Sequence, residues 1–99
     1  MSKSIMEEPG TRICYACGCY ASQGYLHEHH IFGGPNRKLS EKYGLKVHLC
    51  YVCHEDNVRG IHGQNKELRE RLQKEGQQAF ERRHGDREEF RKIFGKNYL

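Results

Sequence analysis

The feature that most constrains the fold of this chain is a pair of Cys-x-x-Cys motifs, Cys14-x-x-Cys17 and Cys50-x-x-Cys53. Each motif places two thiols within reach of one ion, and four thiolates suit the tetrahedral coordination that zinc prefers. Gly18 follows the first motif, where glycine easily adopts the positive φ angle of a tight turn. The spacing therefore predicts one structural zinc ion held by Cys14, Cys17, Cys50 and Cys53.

A fifth cysteine, Cys19, lies outside both motifs. Free cysteine packs readily as a small apolar residue, so we expect a packing role. The alternative is that Cys19 replaces Cys17 as a zinc ligand, although a Cys-x-Cys pair makes a poorer knuckle than Cys-x-x-Cys.

The length and composition of the chain also lead us to expect a stabilising cross-link such as this zinc ion. A chain of 99 residues with 35% apolar content buries limited surface and is expected to need a disulfide or a metal as a staple. Residues 1–5 lack the apolar run of a signal peptide, and no later stretch approaches a membrane span. We therefore expect a cytoplasmic location, where reducing conditions favour zinc over disulfides. The net charge of +4 permits an anionic partner without identifying it.

Between the two cysteine motifs lies a second group of residues that can bind a metal. His29 and His30 are adjacent and precede the Gly33-Gly34 break, and His54 directly follows the second cysteine motif. One imidazole of the pair can bind an ion while its neighbour acts on a water molecule. An adjacent pair linked to a third histidine is difficult to explain by packing. Structural roles are expected for the isolated histidines His27, His48 and His84.

The pattern of polar and apolar residues predicts an α+β domain. Residues 20–31 contain a short strand that ends at the histidine pair, and residues 45–49 alternate as a half-buried strand does. Because residues 33–36 form a strong turn signal, the two strands are expected to form a hairpin. Residues 37–43 predict a short helix that ends at Gly44, and residues 55–59 predict another that ends at Gly60.

Two further helices are predicted in the C-terminal third. Apolar residues at helical spacing between Asn65 and His84 indicate an amphipathic helix with Asn65 as its N-cap. Gly76 is expected to weaken this helix by about 1 kcal/mol relative to alanine. Asp86-x-x-Glu89 resembles a capping box that opens a last helix. We therefore divide the chain into a flexible leader (1–11) and a single domain (12–99), in which a zinc-bearing core (12–63) is braced by helices (64–99).

These motifs together resemble the HNH, or ββα-metal, endonucleases and their zinc-bearing branch. The resemblance is carried by His29-His30 at the end of one strand, by His54 at a strand-to-helix junction and by the cysteine knuckle before the first strand. Residues 29–34, 40–45 and 94–99 are similar to phage-borne, RecA-dependent recombination-enhancement nucleases. This similarity spans nearly the whole chain after residue 11, but residues 43–46 lack the asparagine that gives HNH its middle letter.

The resemblance implies a metal-dependent DNA endonuclease with a small ββα-metal fold. His29 and His54 take the positions of ligands to a catalytic ion, and His30 takes that of the general base. Mg, Mn, Ni or Zn could fill the site: imidazole ligands favour a transition metal, while the hydrated DNA-bound state would still admit Mg. A further ligand is expected one helical turn after His54, near Asn57, and His62 is the alternative if its loop folds back.

The resemblance also implies DNA as the partner, RecA-coated DNA as a special form of it, and a phage or prophage origin in a bacterial cytoplasm. Basic residues near the site are candidates for backbone phosphate contacts with little base specificity: Arg37, Lys38, Lys42 and Arg59. Arginines in the C-terminal third alternate with glutamate, as on a solvated helix: Arg69, Arg71, Arg82 and Arg83.

Two alternatives from other functional classes remain open at this point. The first is a non-catalytic zinc module that binds DNA. The second is a protein-interaction zinc finger of the RING or ribbon type, which would hold two zinc ions and show no salt-dependent DNA binding.

Overall fold

The computed structural model describes residues 4–8, 10, 12–20 and 26–99. In this part of the chain, two antiparallel strands combine with four α-helices, which confirms the predicted α+β class. The elements follow in the order β1 (His27–His30), α1 (Arg37–Tyr43), β2 (Lys46–Leu49), α2 (Tyr51–Glu55), α3 (Lys66–Arg83) and α4 (Arg87–Phe94). Among the described residues, none of the helices has the length and apolar character that a membrane span requires.

The two strands form the predicted hairpin, with His29 opposite Val47 and His30 opposite Lys46. Successive side chains of a strand alternate between its two faces. His29 therefore shares a face with the fully buried Val47, whereas His30 lies on the other face beside Lys46. Residues 21–25, which belong to the predicted first strand, lie outside the described residues.

The connection between the strands follows the sequence prediction closely. A 3₁₀ turn over Gly34–Asn36 leads into α1, which ends at Gly44 with φ 72°. Ser40 on α1 is fully buried, and its hydroxyl accepts a hydrogen bond from the Phe32 amide and donates one to the Phe32 carbonyl, both at 2.9 Å. These two bonds fix α1 against the end of β1.

The prediction of a short helix over residues 55–59 is wrong. The helix begins earlier, directly after Cys50, and α2 ends at Glu55. Asp56 explains the early end, because its carboxylate accepts hydrogen bonds from the backbone amides of Val58 and Arg59, both at 2.9 Å. A side chain that binds nearby amides in this way competes with helix continuation. Turns occupy the chain as far as the start of α3.

The caps predicted for α3 and α4 are both present. The Asn65 side chain accepts a hydrogen bond from the Leu68 amide at 3.0 Å, and the Asp86 side chain accepts one from the Glu89 amide at 2.9 Å. Each cap satisfies a backbone donor that the first turn of a helix leaves without an intrahelical partner.

Aromatic side chains join the hairpin to the C-terminal helices. Phe80 on α3 and Phe90 on α4 are fully buried, with ring centroids 5.3 Å apart. Phe32, which follows β1 by two residues, lies 5.5 Å from Phe90 and 4.9 Å from Phe94. The core therefore sits where the end of β1 meets α3 and α4.

Gly76 lies at the closest approach between α3 and this end of β1. A Cβ atom at residue 76 would lie 2.9 Å from Cγ2 of Ile31 and 3.4 Å from Cε2 of Phe32. Only glycine allows α3 to pack this closely against Ile31 and Phe32. Gly76 therefore lowers the intrinsic stability of the helix but permits its packing against the end of β1.

Part of the segment predicted as a leader contacts the hairpin. The Ile5 amide donates to the Gly44 carbonyl at 2.9 Å, and the Ser4 hydroxyl donates to the Lys46 carbonyl. The Glu7 carboxylate contacts Nδ1 of His48. Residues 1–3, 9 and 11 of that segment lie outside the described residues.

Candidate metal centres

The four cysteines of the two motifs form one cluster. Cys14 and Cys17 lie in a turn that is closed by a hydrogen bond from the Gly18 amide to the Cys14 carbonyl, with φ 77° at Gly18. Cys50 caps α2, and Cys53 lies on it. Their sulfur atoms are all within 4.8 Å of one another. The Cys17 and Cys50 sulfurs are 3.8 Å apart, which matches the edge of about 3.8 Å expected for a tetrahedron of zinc–sulfur bonds of about 2.3 Å.

The surroundings of Cys14 favour its thiolate, the form that binds metals. Burial raises the pKa of this thiol, but the backbone amides of Cys17, Cys50 and Ala16 outweigh burial and lower the pKa to about 7. Burial raises the pKa of the Cys53 thiol. Proximity, sulfur spacing and the amides around Cys14 together make this cluster suitable for a structural metal such as zinc.

Cys19 is exposed and lies outside the group of four sulfurs. The neighbouring thiols of Cys17 and Cys50 raise its pKa to about 12, so its sulfur is close to that group. The group of four sulfurs therefore contains Cys17 and not Cys19, as the spacing predicted.

A second cluster consists of three histidines. His29 on β1, His54 on α2 and His62 in the turns after α2 bring ring nitrogens within 4.8 Å of one another. His62 reaches this position because the chain folds back after α2, with its amide donating to the His54 carbonyl at 3.1 Å. Of the two residues considered for a third ligand, His62 joins the cluster.

The surroundings of His29 and His54 favour the neutral form of their rings, which can bind a cation. His29 is 7% exposed, and burial, followed by the charges of His54 and His62, lowers its pKa to about 3. Burial, followed by the charges of His62 and His27, lowers the pKa of His54. Near neutral pH His29 is therefore an uncharged imidazole with a free lone pair, which is the form that coordinates metals.

His54 uses its two ring nitrogens differently. Its Nε2 lies 3.1 Å from Nε2 of His62, close to the separation of about 3 Å expected for two nitrogens bound at about 2.0–2.1 Å to one ion. Its Nδ1 lies 3.0 Å from Nδ1 of His27. If Nε2 binds an ion, Nδ1 carries the hydrogen and donates it to His27, and such a partner orients a metal-binding ring. Sequence had indicated for His27 only an isolated structural role.

His30 is not a member of the three-histidine cluster, since it lies on the other face of β1. Its Nε2 lies 2.9 Å from Oε1 of Glu41 on α1. It nevertheless lines the same cavity, of about 470 Å³, as His29, His54 and His62. Neighbouring residues from both faces of β1 therefore line one cavity.

Arginine side chains complete this cavity. Arg37 and Arg69 line it together with the Gly33-Gly34 turn, whereas Lys38, Lys42 and Arg59 are not among its lining residues. Arg69 was assigned to a solvated face because arginine alternates with glutamate along α3. Arg69 is exposed and lies in the first turn of α3, which follows the turns that contain His62. This closeness in sequence to His62 is the signal that could have indicated its place at the cavity.

One short helix joins the two clusters, since Cys53 and His54 are consecutive residues of α2. Thiols on one side of this junction and imidazoles on the other give two sites of different ligand chemistry.

Comparisons of the chain with family models, with curated proteins and with solved structures found no match. Support for a function comes from the chemistry and geometry of these residues.

Proposed function

We propose that this chain is a metal-dependent endonuclease of the HNH type that hydrolyses DNA phosphodiester bonds. In this proposal β1, β2 and α2 form the ββα-metal unit. The observation that carries it is the convergence of ring nitrogens from His29, His54 and His62 on a cavity that His30 also lines. A bound cation would account for three imidazoles whose ring nitrogens face one space, because the neutral ring nitrogen is a metal ligand.

The two clusters are suited to different tasks. Four thiolates fill a tetrahedral site and leave no open position, as in structural zinc sites. His29, His54 and His62 would hold the catalytic ion, which when bound acts as a Lewis acid on the scissile phosphate. Imidazole donors favour Mn, Ni or Zn, and Mg is the remaining candidate.

His30 is the proposed general base. It takes a proton from the attacking water as the water oxygen bonds to phosphorus and the bond from phosphorus to the 3′ oxygen breaks. The released 3′ oxygen takes up a proton from solvent, so the products are a 5′-phosphate and a 3′-hydroxyl. An imidazole suits this task because its ordinary pKa lies near cellular pH.

Arg37 and Arg69 are the proposed contacts to the DNA backbone, because both line the cavity. Contacts to phosphates carry no base information, so we expect little sequence preference and binding that weakens as salt rises. The resemblance adds RecA-coated DNA as a candidate form of the substrate and phage-associated recombination as a setting.

Nicking of supercoiled plasmid in the presence of Mg or Mn tests the proposal. The wild-type protein is expected to nick, and His30→Ala is expected to lose this activity while keeping its zinc and its fold. His48→Ala is the matched control, because His48 lies on the other strand of the hairpin and does not line the cavity.

The same assay separates the alternatives. Cleavage that is unaffected by His30→Ala would remove the base assignment. A wild-type protein that binds DNA but never cleaves it would instead be a non-catalytic zinc module. Two zinc ions per chain without salt-dependent DNA binding would indicate the RING or ribbon class of interaction module.

A further inference from the structure

A compact network of charged groups surrounds His30 on the face of the hairpin away from the three-histidine cluster. Oε1 of Glu41 lies 2.9 Å from Nε2 of His30, and Oε2 of the same carboxylate lies 2.9 Å from Nζ of Lys46. Glu28 lies farther from the ring, with its Oε1 4.0 Å from Nε2 of His30. One carboxylate on α1 therefore bridges a histidine on β1 and a lysine on β2.

Two carboxylates and an imidazole gathered in this way resemble a metal site, but a cation is already there. Lys46 is 4% exposed, and its ammonium group lies 2.9 Å from Glu41 and 3.4 Å from Glu28. A buried ammonium requires such partners. Lys46 therefore occupies the position that a metal ion would otherwise take, and the network is better explained as support for His30.

The chemistry of Glu41 determines which nitrogen of His30 carries hydrogen. A glutamate with an ordinary pKa is ionised near neutral pH, and the ammonium group of Lys46, 2.9 Å from Oε2, favours that form of Glu41. An ionised carboxylate only accepts hydrogen bonds, so Nε2 of His30 must be the donor. In a neutral ring this leaves Nδ1 as the one nitrogen able to accept a proton.

We propose that Glu41 is a positioning residue for His30, which it holds in the Nε2–H tautomer so that Nδ1 is the atom that takes the proton from water. Lys46 keeps the carboxylate in place through its second oxygen. The role in cleavage rests on the proposed function, whereas the state of the ring does not.

NMR of the zinc-loaded full chain labelled with ¹⁵N-histidine tests the state of the ring. At about pH 8, where ordinary histidine is neutral, the wild type is expected to show the Nε2-bound proton of His30, protected from exchange by its bond to Glu41. The signal is identified by its loss in His30→Gln. It is expected to disappear in Glu41→Ala and to remain in Glu28→Gln, the matched control, because Glu28 lies at 4.0 Å.

Kinetics of plasmid nicking test the consequence for catalysis. Partners that orient a catalytic or metal-binding ring are typically worth about 10- to 100-fold, so Glu41→Ala is expected to lower kcat by that factor. KM is not expected to rise, because the lost group is an anion and does not bind DNA. Glu41→Asp and Glu41→Gln, which keep an acceptor oxygen, are expected to recover part of the loss and also replace Glu41→Ala if that variant does not fold.

The outcomes distinguish this inference from the proposed function. A His30 proton on Nδ1 in the wild type, or a spectrum that is unchanged in Glu41→Ala, would overturn the inference. So would an unchanged kcat in Glu41→Ala from an active wild type, which leaves the nuclease proposal intact. A wild type that shows the Nε2–H bond but never cleaves DNA would refute the nuclease and keep the assignment of the ring.

Discussion

Helix propensity and core packing predict opposite effects of Gly76→Ala on the stability of the protein. In an open helix the substitution stabilises by roughly 0.5–1 kcal/mol, because glycine has the higher conformational entropy in the unfolded chain. In this structure the new Cβ would lie 2.9 Å from Cγ2 of Ile31, whereas carbon atoms normally contact at about 3.5–4.0 Å. That methyl group is attached directly to Cβ of Ile31, so it can move away only if Ile31 changes its χ1 angle within a packed core or its backbone shifts.

Overpacking of this kind costs about 1–3 kcal/mol. With the gain in helix propensity subtracted, we expect Gly76→Ala to lower the free energy of unfolding by about 1 kcal/mol and the melting temperature by roughly 4–8 °C for a domain of this size. Urea denaturation followed by circular dichroism at constant zinc measures the change. Gln78→Ala, at an exposed position on the same helix, should change stability by no more than a few tenths of a kcal/mol.

A double-mutant cycle tests the cause. In an Ile31→Ala background the obstructing methyl group is absent, so Gly76→Ala should become neutral or stabilising. A Gly76→Ala protein that is more stable than the wild type would refute the close approach of α3 to β1. The same cost of Gly76→Ala in both backgrounds would place the clash elsewhere.

Three further predictions concern the metals, the DNA and pH. Cys50→Ser, or chelation of the thiol site, should unfold the domain, because structural zinc contributes on the order of 10 kcal/mol in small modules; a variant that melts like the wild type contradicts this. Arg69→Gln should weaken DNA binding and reduce the slope of log affinity against log salt by about 1, whereas Arg83→Gln, also exposed on α3 but outside the cavity, should have less effect. His29 takes up a proton below its ordinary pKa of 6.5 when unfolded but only near about 3 when folded. With no metal on the histidines, acidification from about pH 7.5 to 5.5 should therefore lower the free energy of unfolding by about 1 kcal/mol through this residue, and His29→Asn should remove that part of the pH dependence in urea titrations.

Local chemistry explains what could be predicted from the sequence. Asn65 and Asp86 bind amides three residues away, so their caps depend on nothing outside their own helices. The turn at Gly44 and the spacing within each Cys-x-x-Cys motif are likewise local features of the sequence. The helix predicted over residues 55–59 is absent for a local reason as well, because the Asp56 carboxylate binds the amides of Val58 and Arg59.

What the sequence did not indicate depends on elements that meet only in the folded chain. Glu41 and Lys46 are polar residues on a short helix and a strand, and nothing in their spacing shows that α1 places one carboxylate between Lys46 and His30. Arg69 looks solvated along α3 and becomes a cavity residue only because the His62 loop lies against the start of that helix. The helix propensity of Gly76 can be read from the sequence, whereas its close approach to Ile31 exists only in the folded chain.

The adjacency of Cys53 and His54 on the five-residue α2 means that the sulfur site and the imidazole site cannot be tuned separately. Oxidation of a thiol, or competition for zinc by another chelator, would release the same short helix that holds His54. Under the proposed function, the same damage would also remove His54 from the proposed catalytic ion, so that scaffold and active site would be lost together.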